Sequence, residues 1–595
     1  MFFASQAFVT ALLVTLLVAG VNLLRTRFHK VDATALAICV VISTLINWLL
    51  VWAVLYGARP ILVGPLGGYI WILLPLFAAW AVFALGDLIL SNVGDRRLSL
   101  GTGLVLVPLV MLSMAIFWGC KTHVVNQGAA THLASLLVVE EQPADAYPDT
   151  DTNHMVLVPE DTAIFKASQV IASGSDESGR NLGSVYEVGE PVLQSVRDHL
   201  YWIADLEFAG WRVWMQTGQV VPGYIAVDAE DPDAQAQLHL GFAMKYVPSA
   251  YHGNKLERHL YTSGFQRVNV DDITIEIDDE WRPWYTASLN KPQVGTQGNV
   301  PFAMIVVDPA TGEAVRYGLD ETPAWIDRVY SAHTVRDMVN WWGNYADSNW
   351  KLIGRTKANR FQVVGDPVLV YTKGGHPDWQ VVISSLNDDN SITGVMLVNG
   401  RTGKARLFPS LAGTPIPEDV LHTFQNARDT IKNFRPRHLS MHLIFGEPTW
   451  VVSYITPAHD GDDTPGEPFQ GIGLLPARDV NGSNVVFAKT KEAAFAQYLT
   501  VLAHQSSTDA PSEKRAVEET SGTVREVVQQ IEEGNTFYLI WLNEDAAHVF
   551  RAARNVSVEL PFVKPGDTVT VQYIDVGEVV VNVARFNDLA VPFVP

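Results

Sequence analysis

Apolar residues follow two patterns along the chain, and the change comes near residue 120. Before it stand four long, scarcely interrupted runs: "FVTALLVTLLVAGVNLL" (8–24), "ATALAICVVISTLINWLLVWAVLYG" (33–57), a run within 61–91 and "GLVLVPLVMLSMAIFWG" (103–119). A bilayer core of about 30 Å takes roughly 20 such residues as helix, and the shorter runs fall within the tolerated range. The pattern predicts a four-helix transmembrane anchor over 1–120. A cleaved signal peptide is the other reading of the first run, but no basic segment precedes it.

After residue 120 the runs shorten and begin to alternate. Residues 121–150 turn polar in "EEQPADAYPDTDTN" and read as a stalk. Over 151–275, "NHMVLV" reads as a strand, "PEDTAIFKASQVIAS" as a helix opened by Pro159, and "GYIAVDAEDPDAQAQLHLGF" as two strands around a loop. An α+β domain is expected there.

Over 276–505 one pattern comes three times. Strands led by Trp284, Trp379 and Trp450 run into "AMIVVDPATGEAVRYG", "GVMLVNGRTGKARLF" and "GIGLLPARDVNGSNVVFAK", and helical stretches follow. Each unit is strand, loop, strand, turn and strand, with Gly312, Gly403 or Gly482 in the turn, where glycine reaches positive φ without steric cost. The charged segment 506–521 is a linker. Beyond it, 522–595 alternates in five or six short strands around "KPGD", which predicts a small barrel of OB or SH3-like type.

The hairpins "VVDPATGEAVRY" (306–317) and "LVNGRTGKARLF" (397–408) resemble the signature of PepSY domains. Those are small extracytoplasmic modules with a helix packed on an antiparallel sheet. The resemblance implies three such repeats, a binding or restraining role, and no catalytic residues. The fold class expected is therefore α+β: four N-terminal transmembrane helices, an array of small sheet-plus-helix modules, and a C-terminal barrel.

Charge adds sidedness. Arg25, Arg27 and Lys30 lie between the first two runs, and Arg96 and Arg97 between the last two. Cytoplasmic loops retain Lys and Arg, so these five residues set a multi-pass plasma-membrane topology with the N-terminus and the bulk of the chain extracytoplasmic. Residues 1–120 carry six basic and three acidic side chains of 42 and 63, leaving 36 and 60, a net of −24 for 121–595. An acidic surface disfavours duplex nucleic acid. Nucleic-acid binding by the barrel would rest on Arg551, Arg554 and Lys564, too few for a basic face. With only Cys39 and Cys120, the large region has no disulfide of its own.

No "GxSxG", "HExxH" or Walker loop occurs; "GRTGK" (400–404) has the wrong spacing and ends at Ala405. His438 and His442 would share a helix face, but "HLSMHLIFG" alternates, and in a strand they stand about 13 Å apart. They read as surface or sheet-edge histidines. "DDITIEIDDE" could gather Asp271, Asp272, Glu276, Asp278 and Asp279 around calcium, but alternation favours a solvated face bearing Glu276 and Asp278. The loop 459–468 is acidic without EF-hand spacing. No cofactor or metal is expected.

Twelve of the seventeen tryptophans lie beyond residue 120, and most read as core. Trp341, Trp342 and Trp350 are the candidate binding surface, because adjacent helical residues cannot both face one core. The expected function is a non-catalytic, membrane-anchored scaffold or regulator that binds other envelope proteins. The alternative is an enzyme or binding protein for envelope glycan, with tryptophan platforms beside a carboxylate pair.

Overall fold

The computed structural model describes Ala11, Leu12, Thr15, Leu16, residues 33–57 and Arg59, and then 127–588 apart from 144–145, 153, 176–178, 295–296, 347–358, 373–376, 388–389, 412–413, 428–432, 457–467, 507–516, 533–534, 555 and 575–578. The chain divides into two compact units. The first comprises 1–136, 207–223 and 241–356; the second comprises 137–206, 224–240 and 357–595.

In chain order come α1 (Ala33–Gly57), α2 (Gln127–Ala134), β1 (Val139–Glu141), α3 (Glu160–Ser173), β2 (Tyr186–Val188), β3 (Val192–Val196), β4 (His199–Phe208), α4 (Trp211–Gln216), β5 (Val221–Asp228), β6 (Gln237–Met244) and α5 (Leu256–Thr262). Three meanders follow. The first is β7 (Asn269–Ile277), β8 (Pro283–Lys291), β9 (Val300–Val307) and β10 (Ala314–Gly318), then α6 (Ala332–Tyr345). The second is β11 (Phe361–Tyr371), β12 (Pro377–Ser385), β13 (Ile392–Asn399) and β14 (Ala405–Phe408), then α7 (Pro417–Asn426). The third is β15 (Arg435–Ile444), β16 (Glu447–Ile455), β17 (Phe469–Pro476) and β18 (Val486–Ala488), then α8 (Lys491–Ser506). Finally β19 (Val517–Glu532), β20 (Asn535–Leu542), β21 (Val549–Ala553), β22 (Thr568–Ile574) and β23 (Val580–Asp588) close a five-stranded barrel in the order β19-β20-β21-β23-β22.

Within the first unit the sheet order is β10-β9-β8-β7. Alternation splits β8 into two faces: Tyr285, Ala287 and Leu289 join the apolar core, while Thr286, Ser288 and Asn290 form a polar row that is also buried. Helix α6 starts at Ser331, whose side chain accepts the Thr334 N–H, satisfying one of the free donors of its first turn.

In the second unit the order β1-β14-β13-β12-β11 makes a five-stranded sheet, and β15-β16-β17-β18 a four-stranded one. Helix α7 opens with Pro417, Glu418 and Asp419, suited to the positive end of a helix. It buries Val420 and Phe424, and Phe424 meets Tyr454 edge-on at 6.4 Å. Helix α8 places Ala494, Tyr498 and Leu502 in one cluster with Ile472 and Leu474 of the third sheet and Phe537 and Ala553 of the barrel. Each buried Leu, Ile or Phe among them contributes about 1.5–3 kcal/mol of transfer free energy.

The four-helix anchor is corrected. Among the described residues one helix, within Val40–Gly57, is long and apolar enough to cross a bilayer. The other three runs lie outside the described residues except for Ala11, Leu12, Thr15 and Leu16, and Arg25, Arg27, Lys30, Arg96 and Arg97 lie outside them too. A single helix near the N-terminus passes the same length and composition test as a signal sequence or the core helix of a soluble protein. The multi-pass topology, the plasma-membrane location and the sides drawn from it are therefore not supported. The expected α+β class gives way to a mainly β chain with a closed barrel.

The repeat is also shifted by one residue. Tyr285 pairs with Val307, Trp379 with Val398 and Trp450 with Leu475, each in the strand before the turn. Tyr285, not Trp284, is the counterpart of Trp379 and Trp450, and Trp284 points to the opposite face.

Candidate functional site

The cleft of interest lies in the first meander and begins with a turn. Asp278, just after β7, accepts the N–H groups of Glu280 at 3.0 Å and Arg282 at 2.9 Å on Oδ1, and the indole N–H of Trp284 at 2.9 Å on Oδ2. Its three acceptor bonds close the β7–β8 turn and orient the indole together. Trp325 stands 6.4 Å from Trp284, ring centre to ring centre, at 31°. Val306, Val315, Tyr317 and Pro323 add apolar lining, and Asp308 and Glu313 acidic lining, to a space of about 290 Å³. Asp308 Oδ1 accepts the N–H groups of Ala310 at 2.8 Å and Thr311 at 3.3 Å, which ties it to its own turn.

Beneath the segment 319–331 that carries Trp325 lies the polar row of β8. Ser288 donates to the Val329 carbonyl. Asp271 Oδ2 accepts from Asn290 at 3.2 Å, Ser331 at 3.2 Å and Thr334 at 3.1 Å. Thr286 donates to Glu276 Oε1 at 3.0 Å, whereas Oε2 has no protein partner. Burial pushes the Glu276 carboxyl up to about 8, against the pull of Arg328 and with the push of Asp327. The solvated face expected for "DDITIEIDDE" is thus a covered one: Glu276 and Asp278 are buried along with Ile275 and Ile277. Among the described residues no group of three or more His, Cys, Asp or Glu is arranged to hold a metal ion.

The second unit has its own chain of histidine–carboxylate contacts. His199 faces Asp228 at 2.8 Å through Nε2 and Glu230 at 3.0 Å through Nδ1, and His154 Nδ1 faces the other oxygen of Glu230 at 2.9 Å. Beside it opens a space of about 700 Å³ lined by Glu230, Asp231, Asp233, Lys489 and Lys491. Most of these charges serve the chain itself: Lys491 donates to the Thr152 carbonyl at 2.8 Å and Asp231 accepts the Asp233 N–H at 2.8 Å.

His438 and His442 stand on β15, the edge strand of the third sheet, as the sheet-edge reading has it, but His442 is buried and His438 half-buried. A bulge between Arg437 and Ser440 breaks the alternation, with His438 at φ 52°. Burial holds His438 down to about 4, and burial together with His438 holds His442 down to about 3. Ser440 Oγ lies 2.9 Å from His442 Nε2, a contact that resembles a nucleophile and its base. An imidazole with so low a proton affinity is a poor base at neutral pH, and Ser440 is itself buried, so the pair is a buried hydrogen bond within one strand, β15.

Of the expected tryptophan surface, two members are described, Trp341 and Trp342, and both are half-buried. Trp341 packs against Ala130 and Leu133 of α2 beside Val294 and Tyr345, Trp342 is half-buried, and Trp350 lies outside the described residues. Gly312 and Gly403 take φ 75° and 69° in their turns, while Gly482 opens a 3-10 turn and is not left-handed. The acidic loop falls almost wholly on 457–467, outside the described residues. In the barrel, Arg551 lies over the Phe537 ring at 4.0 Å. The sequence reading has Trp284 at the head of a repeat strand and does not single out Trp325; the aspartate six residues before Trp284 is the signal for its place in the cleft.

No family model and no curated protein matches this chain. Among solved structures it is similar to Bombyx mori GH32 beta-fructofuranosidase BmSUC1, in a mutant in complex with sucrose and without that mutation. Each is 10% identical with a TM-score of 0.18, over 68% of this chain and 62% of the other. The chain thus spans less than two thirds of those proteins, and a likeness this slight carries no argument about fold or activity.

Proposed function

We propose that this is a non-catalytic protein-binding scaffold built of PepSY-like modules, whose first meander seats a cationic side chain of a partner protein. One observation carries the reading: Asp278 accepts three N–H bonds while holding Trp284 in the wall of an open cleft. A carboxylate engaged in that way is a fixed charge, poorly placed to shuttle a proton or attack a substrate. Fixed carboxylates beside indole and phenol faces suit lysine or arginine, for which cation–π attraction contributes roughly 0.5–2 kcal/mol. The formal charge of −21 favours encounter with basic partners.

A glycan is the second reading, favoured by the same Trp284 and Trp325 beside carboxylates. Titration of the full chain with N-acetyl-lysine methylamide, N-acetyl-arginine methylamide and a neutral oligosaccharide, followed by indole fluorescence in wild type, Trp284→Phe and Trp325→Phe, separates them. The proposal expects the two cationic amides alone to respond, weakened in both variants. Binding of the oligosaccharide in their place, or hydrolysis of it, would overturn the cationic reading.

A further inference from the structure

The first two meanders share a register down to the atoms of their turns. Asp308 N donates to Glu313 O at 3.0 Å and Gly312 N to Asp308 O at 2.8 Å; Asn399 N donates to Lys404 O and Gly403 N to Asn399 O, both at 2.9 Å. Ala314 pairs with Val307 as Ala405 pairs with Val398. Strand β10 is therefore the counterpart of β14, with Ala314, Val315 and Arg316 in the places of Ala405, Arg406 and Leu407.

Beyond that point the two modules differ. On the outer edge of β14 lies β1, parallel, with Val139, Glu140 and Glu141 opposite Ala405, Arg406 and Leu407. Two backbone bonds bracket it, Ala405 N to Val138 O at 3.0 Å and Gln142 N to Leu407 O at 2.8 Å. Strand β10 is the end of its sheet, with no outer neighbour among the described residues. By the shared register, Ala314 and Arg316 present their N–H and C=O groups outward, as Ala405 and Leu407 do to β1.

Side chains differ in a complementary way. In the second module Arg406 reaches Asp378 at 2.6 Å, Asp378 standing where the first module has Trp284, and the added strand places acidic Glu140 opposite Arg406. In the first module that ion pair is replaced by Val315 and Trp284, both lining the open cleft with Asp278 and Glu313. Val315 is 43% exposed. The cation of the position is lost, and Asp278, Asp308 and Glu313 make the cleft acidic, suited to a basic residue.

We propose that β10 is a docking edge, to which an extended segment of a partner protein adds as a parallel strand, with a Lys or Arg opposite Val315 turned into the Trp284–Trp325 cleft. Main-chain bonds to Ala314 and Arg316 hold the segment, and the cleft reads its side chain. The cationic specificity rests on the binding function proposed above; the strand addition rests on β1 and β14 alone.

The test uses the full chain and a synthetic seven-residue peptide of alternating Val and Lys, measured by calorimetry beside its Lys→Glu version and N-acetyl-lysine methylamide. Single backbone N-methylation along the peptide leaves the protein untouched. Expected are losses of about tenfold at alternate residues and little change between them, as hydrogen bonds to one edge require. Ala314→Pro, which removes an outward N–H and fixes φ at an edge position where proline is tolerated, is expected to weaken the peptide by a similar factor and leave the amide unaffected. An N-methyl series with no two-residue period, or full peptide affinity in a folded Ala314→Pro chain, overturns strand addition while the cation reading stands. Equal binding of the Lys→Glu peptide, with the two-residue period kept, sinks the cation reading instead. Self-association abolished by Ala314→Pro, with no peptide binding, makes a second copy the occupant and also overturns the proposal.

Discussion

Asp278 accepts the indole N–H of Trp284 at 2.9 Å with one oxygen while the other closes the turn between them. Shape of the cleft and stability of the β7–β8 hairpin therefore depend on one carboxylate. Replacing Asp278 by Ala takes the acceptor from three N–H donors, those of the exposed Glu280 and Arg282, which water can satisfy, and that of the half-buried Trp284, a loss of about 1–2 kcal/mol. Hydrogen exchange over residues 275–290 of the full chain is expected to quicken, and cation binding to fall with it. Unchanged protection in Asp278→Ala would show that the turn is held by its backbone alone.

Glu276 gives the same module a pH dependence of fixed sign. Its folded value, about 8, lies above the ordinary carboxylate range. A group raised on folding contributes stability that is full below its unfolded value and lost as pH rises through the folded one. Thr286, Arg328, Asp327 and Asp272 are the groups around it. Asp272 is itself raised, by burial first. The first module is thus expected to loosen between about pH 5 and 9, and Glu276→Gln to flatten that slope. Exchange rates over 269–291 followed across this range decide it; an identical slope in the variant would assign the effect elsewhere.

How far the fold could be read follows from how local each feature is. Asp308 and Asn399 cap their own turns within three residues, and Gly312 and Gly403 supply the left-handed step, so both hairpins stand in the sequence. The fate of "DDITIEIDDE" does not. A period of two says that Glu276 and Asp278 share a face, but not that the segment 319–331, some fifty residues on, covers it. The bulge at His438 and the one-residue shift from Trp284 to Tyr285 break the counting on which strand faces were assigned. In the first 120 residues apolar length picks out α1, but length is common to spans, signal sequences and core helices.

His442 gives the third module the opposite sign. Held down to about 3 by burial, it is a group depressed on folding, so its stabilising effect is present above the ordinary histidine value of about 6.5 and lost as pH falls toward the folded one. His438 adds to the same effect, and Ser440 and Thr150 offer hydroxyls but no negative charge to welcome a proton. Exchange over 435–455 is expected to quicken from pH 7 to 5, less so in His442→Gln. A variant as acid-sensitive as wild type would exonerate this histidine.

Gly312 tests the docking edge from the side of its turn. At φ 75° a side chain costs roughly 1–2 kcal/mol in backbone strain. A Cβ there would also come within 2.8 Å of Tyr246 Cε2 and 2.9 Å of His259 Nε2, the latter ring already 2.7 Å from the Gly312 carbonyl. Both rings must shift, and with them α5 against the hairpin. Gly312→Ala is expected to destabilise the β9–β10 hairpin by about 2–3 kcal/mol, the sum of strain and displaced contacts, and to weaken peptide binding through β10. His259→Ala in the same chain opens the crowded side, so the double variant should recover part of the loss and leave the φ strain. If exchange over 300–318 is no faster in Gly312→Ala, then the turn relaxes into another conformation, and the shared register with Asn399–Lys404 is not a requirement of the module.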